Sequence, residues 1–285
     1  MSHESKKDKN SSIKKIPLKS WEEFEDAIEE EYQSHEELKK SYPKVPNLLF
    51  RGQKNACWPL ETTLERYVRD KKVTKREYSQ EEYLNILKAV KPAINSLANK
   101  PEFEKFSNDP LAKEPSYYEF MIYIRHHGFP SPLLDWTRSP YVSGYFAFND
   151  SKDEMDEDVA IYSFLEKELW FKSASSNTPQ ILGLGSDVVA HKRHYQQQGE
   201  YTVCFIEPTG SGFVYGNPNN RIFTSHEKVT FGDSQDFLRK YIIPSTERKK
   251  VLRKLDLMNI NAFSLFGNEE SLMDTLAYQE IEKRR

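Results

Sequence analysis

Apolar residues recur at helical spacing in four separate stretches of the chain and alternate or cluster in three shorter ones, a pattern of mixed helices and strands. In "SWEEFEDAIEEEYQSHEELKKSY", Trp21, Phe24, Ile28 and Tyr32 share one stripe behind a capping box, Ser20 with Glu23, and the outer face is acidic. A second capping box, Ser79 with Glu82, opens "SQEEYLNILKAVKPAINSL", whose Tyr83, Ile86, Leu87, Val90, Ile94 and Leu97 fall on one face, with Pro92 predicting a bend. "PSYYEFMIYIRHHG" predicts a helix stopped by Gly128, and Ser139 followed by Pro140 predicts the start of the next, "SPYVSGYFAFN". "NLLFRGQ" (47–53), "VAIYSFL" and "YTVCFIEP" predict strands. From "SQDFLRKYIIP" to the end the pattern predicts mostly helix, and "HHGFPSPLLDWTR" predicts a shaped turn joining two helices.

Composition adds limits. At 285 residues, 37% hydrophobic and 13% aromatic, the chain can build a sizeable core. A net charge of −3 over 30% charged residues imposes no phosphate-backbone partner, although a local basic groove is compatible with it. Cys57 and Cys204 lack CxxC partners, which argues against a disulfide framework or a cysteine zinc site, and no metal-ligand spacing joins the histidines to an acid. Without an apolar run of membrane length, the expectation is a cytoplasmic protein, with no membrane contact.

The blocks "LLFRGQ", "HHGFPSPLLDWTRSPYVSGYFAF" and "RHYQQQGEYT", followed by "KYIIP" and "INAFSLFGNEESLMDTLA", resemble in order the motifs of the FRG domain family, named for Phe-Arg-Gly. Ser131 stands where that family usually has threonine and Gly267 where it has proline. A more distant similarity is to ADP-ribosyltransferases of the arginine-serine-glutamate kind: Arg51, Thr137-Arg138-Ser139 and Gln198-Gly199-Glu200 follow that order. The helix–strand pattern, with no internal repeat or low-complexity linker, predicts a single-domain α+β fold, to which the second resemblance adds the kind of core. Its single domain has an ADP-ribosyltransferase-like split β-sheet core over 47–285, a helical N-terminal extension over 16–46, a helical C-terminal cap and a disordered basic tail over 1–15.

The second resemblance implies NAD as co-substrate, no metal, and transfer of ADP-ribose to a macromolecular acceptor by a toxin or phage-defence effector, with an antitoxin as a partner. Such chemistry needs a carboxylate beside an oxocarbenium-like transition state, a role for Glu200 with Gln198 orienting the nucleophile. It needs a cation for pyrophosphate, the role of Arg51 beside Gly52. Thr137 and Ser139 supply bracing hydroxyls, Tyr145 or Phe146 a stacking ring, and His127 a further contact. "HKRHY" (191–195) favours single-stranded RNA as acceptor. Each residue also has a structural reading: Arg51 paired with Asp135, Ser139 as N-cap, Tyr145 in the core, and at most one of His126 and His127 facing a site. Two other functions stay open, a non-catalytic nucleotide-binding or interaction module and a metal-independent nuclease using His127.

Overall fold

A computed structural model describes residues 13–42, 44–98, 116–149, 157–166, 178–185, 192–207, 221–229 and 236–283. In chain order the strands and helices are β1 (Lys14–Pro17), α1 (Trp21–Ser41), β2 (Leu49–Gln53), α2 (Thr63–Asp70), α3 (Gln80–Ala98), α4 (Ser116–His126), β3 (Leu133–Thr137), α5 (Pro140–Phe148), β4 (Val159–Leu165), β5 (Gln180–Gly183), α6 (Lys192–Gln196), β6 (Gly199–Ile206), β7 (Ile222–Phe223), β8 (Phe237–Ile243), α7 (Arg248–Leu257), α8 (Ala262–Phe266) and α9 (Glu269–Ala277). The described strands form one mixed sheet in the order β1-β8-β4-β2-β3-β6-β5, with β7 also on β6, and all pairs are antiparallel except β1 with β8. The fold is α+β.

The sheet is firmly zipped within two halves and barely between them. β4 pairs with β8 through seven residues and β3 with β6 through five, but β2 meets β3 through Phe50 and Thr137 alone. One face of the β8-β4-β2 half carries a core of α1, α5 and α7, built on Trp21, Phe24, Phe50, Phe148, Ile161 and Leu255. The other face holds Leu49, Tyr162 and Phe164, in one cluster with Leu134 and Trp136 of β3. α3 and α4 cover the β3-β6 half with Tyr83, Leu87, Phe120 and Met121 against Leu133, Tyr201 and Val203.

Two secondary-structure expectations are corrected. "SQDFLRKYIIP" does not continue the helical C-terminus: Phe237–Ile243 is β8, paired with β1 on one side and β4 on the other. "LLDWT" is strand β3 rather than part of a turn. Of the tail expected over 1–15, residues 1–12 lie outside the described residues, but Ile13 is buried and Lys14 and Lys15 pair with Arg239 and Lys240 in β1. Within the 16–46 segment, the predicted stripe of α1 places Trp21 at 0% exposure against Phe24, Tyr141 and Phe148. Gly144 in α5 makes room for that ring; a Cβ there would lie 2.6 Å from it.

Trp21→Ala should therefore cost about 3–5 kcal/mol of unfolding free energy, read from the midpoint of a urea titration at unchanged slope. Near-normal stability would show that α1 is a detachable extension after all.

Candidate functional site

At the seam between the half-sheets, Arg51 from β2 and Arg125 from the last turn of α4 both hold Oδ1 of Asp135 on β3. Arg51 Nη1 also donates to the Asp135 carbonyl at 2.8 Å, and Arg125 Nη1 to Thr63 Oγ1 at 2.9 Å. The guanidiniums are largely buried, with side chains 14% and 10% exposed, while the Asp135 side chain is 52% exposed. Desolvation by the surrounding protein pushes the Asp135 carboxyl up, but the charges of Arg125 and Arg51 outweigh it and hold the group well below the usual carboxylate range. Asp135 is thus an anion with two cations at its back.

This triad lies in a cleft of about 470 Å³. Lys54, Arg66 and Arg193 join Arg51 and Arg125 among its lining cations, against Asp135 as the one acid among the described residues. Trp58, Phe146, Tyr201 and Phe266 supply aromatic surface, and half of Trp58 is exposed. Behind the cleft, Trp136 Nε1 donates to Thr202 Oγ1 at 2.8 Å, and Thr202 Oγ1 lies 2.9 Å from His226 Nε2. Burial, then the charge of Arg51, lowers the His226 pKa to about 3, so the imidazole is neutral. That chain of bonds fixes the ring plane of Trp136.

The residues expected from the sequence divide. Arg51, Gly52 and Thr137 line the cleft. A Cβ on Gly52 would fall 2.0 Å from the Ser143 carbonyl oxygen, so glycine is required there for close packing of β2 on α5, whatever it does for a ligand. Thr137 is committed locally, donating to the Gln197 carbonyl at 2.7 Å and accepting from the Ser139 N–H at 3.1 Å. Ser139 is the N-cap of α5, accepting from the Val142 N–H. Of the two histidines, His126 lines the cleft, 2.8 Å from the Tyr201 hydroxyl, whereas His127 is not among its lining residues and lies with its ring 4.6 Å from that of Tyr123 in a tilted contact. Tyr145 is 4% exposed and faces a different cavity, beside α7 and α9, where its hydroxyl accepts from Asn149. Gln198 is exposed in the tight turn before β6, at φ +49°, and its carbonyl accepts the Arg138 N–H.

Glu200 stands outside the cleft lining. Gly199 and Tyr201 face it, and strand alternation turns Glu200 between them away, to accept from Asn47 Nδ2 at 2.9 Å with Arg138 Nε at 3.7 Å. Burial raises its pKa, with partial relief from Asn47 and Arg138. Sequence reasoning passed over Arg125, Arg66 and Trp58 as site residues, and no signal marked them; Arg193 lies within the "HKRHY" stretch expected to meet a nucleic acid. Among the described residues no group of three or more histidines, cysteines or acids is placed to hold a metal ion, and no helix is long and apolar enough to cross a membrane.

The model of the FRG domain matches residues 46–156, which span β2, the triad and α5. The chain carries an FRG domain. Neither the curated proteins nor the solved structures include a match to it. Arg51 and Gly52 are the Arg-Gly of the FRG block, so the motif that names the domain supplies both the cleft's central cation and its contact with α5; Gln198 and Glu200 fall beyond the matched segment.

The two carboxylates should respond to pH in opposite senses. Asp135, depressed in the folded state, stabilises fully above its unfolded pKa of about 3.9 and loses that contribution as pH falls through the folded value. Glu200, raised in the folded state, is a cost at neutral pH that is relieved as pH drops through its folded value. Asp135→Asn should therefore lower stability at pH 7 with a deficit that shrinks towards pH 3, while Glu200→Gln should raise it at pH 7 with a gain that shrinks in acid. Urea titrations across that range decide the point, and shifts of the same sign at pH 7 would overturn it.

Proposed function

We propose that the FRG cleft binds a phosphate-bearing nucleotide, with NAD as the candidate, and uses it as an ADP-ribosyl donor to a macromolecular acceptor. The observation that carries this reading is the pair of fixed guanidiniums, Arg51 and Arg125, with three further cations and a half-exposed Trp58 around one opening of ligand size. Pyrophosphate takes bidentate guanidinium bonds, and a flat base takes an aromatic wall. In the transfer, the ribosyl C1′–N bond breaks with its electron pair leaving on nicotinamide, and the acceptor nucleophile forms the new bond to C1′ and releases its proton. The developing cation needs a carboxylate, and among the described residues the cleft offers Asp135, kept ionised by its two partners with Oδ2 outside both ion pairs.

α6 supports a single-stranded nucleic acid as acceptor, because Tyr195 is 84% exposed next to Arg193 at the cleft wall, a stacking surface beside a cation. A toxin or phage-defence effector acting in the cytoplasm is the setting to which this reading belongs. A second reading, a non-catalytic nucleotide-binding module, is favoured by the position of Glu200 outside the cleft.

Calorimetric titration with NAD and release of labelled nicotinamide test both. Asp135→Asn should keep or tighten NAD binding, since it removes the negative charge, while turnover falls on the order of 10²–10³-fold. Arg66→Ala should weaken binding several-fold with turnover of bound NAD retained, and Glu200→Gln should stay within a few-fold in both. Binding without cleavage by the unmodified protein selects the second reading; no binding of NAD or of simpler adenine nucleotides at millimolar concentration ends the cleft proposal.

A further inference from the structure

On the far side of the β8-β4-β2 half, a cavity of about 340 Å³ lies between α1, β1, β4 and β8 and shares no lining residue with the cleft. Glu31 of α1 lines it at 8% exposure. Its Oε1 takes three donors: Ser163 Oγ at 2.8 Å, Arg239 Nη1 at 2.5 Å and Tyr241 O–H at 2.7 Å. Its Oε2 is buried and has no hydrogen-bond partner. A carboxylate oxygen stripped of water without a donor costs on the order of 1–3 kcal/mol, more for a charged group, and nothing in the local packing forces it, since a single oxygen has drawn all three donors. Beside it, His35 donates from Nε2 to the Pro46 carbonyl at 2.8 Å.

We infer that this cavity is a second ligand site, for a small neutral molecule with an apolar body and one O–H or N–H donor directed at Glu31 Oε2. The apolar body matches the walls supplied by Ile16, Ala27, Leu38, Leu48, Leu165 and Phe237. Neutrality follows from the ionised side chains that face the space. Lys14 and Arg239 balance Glu30 and Glu31, and Arg239 already neutralises the carboxylate at Oε1, so a ligand cation would meet a guanidinium across Glu31 and a ligand anion the uncovered Oε2. The volume is near the lower end of ligand pockets, which limits the ligand to a molecule about the size of a substituted ring. Ser163, a donor to Glu31, sits opposite Phe50 in the β2–β4 ladder, and Phe50 lines the nucleotide cleft, so the two sites are one strand apart.

Ligand-observed NMR titrations with phenol, cyclohexanol and benzamide, and with benzene and cyclohexane as partners lacking a donor, test the site on the full chain. The donors should bind saturably and at least about tenfold more tightly than their donor-free counterparts, as befits a hydrogen bond to a charged group. Glu31→Gln should erase that tenfold preference. Ala27→Leu, which fills the cavity without touching the carboxylate, should abolish binding of all five probes while thermal stability is held or raised, and it decides the matter if Glu31→Gln does not fold. Equal affinity for phenol and benzene, or phenol binding unchanged in Ala27→Leu, would overturn the proposal and assign Oε2 to solvent alone. Because none of these readouts involves NAD, failure here leaves the cleft reading untouched, and the reverse.

Discussion

Two guanidiniums on one carboxylate, placed where the sheet is weakest, set the terms for the rest of this molecule. β2 and β3 share a single backbone pairing, so the halves of the sheet are joined by side chains, and Arg51 spans the join to bond both the carbonyl and the carboxylate of Asp135. Arg125 brings α4, and with it the whole α3–α4 layer, to the same oxygen. Such an arrangement is costly to desolvate and costly to break, because removing any member strands the charges that remain. It also leaves one positive charge in excess at the floor of an open cleft, so the interaction that closes the fold is the one that makes the opening attractive to anions.

Elements written in local periodicity were legible from the chain. The stripe of α1, the Ser139–Pro140 start of α5 and the apolar strands β2, β4 and β6 each carry their signal within a dozen residues. β8 and β1 were not, for the same physical reason: "FLRKYII" interleaves Arg239 and Lys240 with apolar residues and reads as an amphipathic helix until β4 pairs with it, and "KKIP" is a strand only because β8 lies beside it.

The site shows the same division. Arg51 with its partner Asp135 could be read as a pair because the two blocks are motif-bearing, but the direction of Glu200 depends on the phase of β6, which is set by the turn at Gln198. A shift of one residue in that turn would put Glu200 into the cleft in place of Tyr201. His126 and His127 illustrate the point on a helix, where neighbouring side chains diverge by about 100°; the 3.6-residue count says that only one enters, and the packing of α4 chooses which.

The parallel pairing of β1 with β8 has a practical side. β1 is the outermost strand at its end of the sheet, four residues long, with two lysines and a proline, a composition that discourages another chain from adding on. β8 beneath it has seven residues, five of them apolar, and a continuous row of backbone donors and acceptors. Trimming the protein through Pro17 would uncover that row, and intermolecular strand addition would then propagate from molecule to molecule as aggregation. A shortened version made for crystallisation or expression should keep the chain from Ile13 onward, however dispensable its lysine-rich start looks on paper.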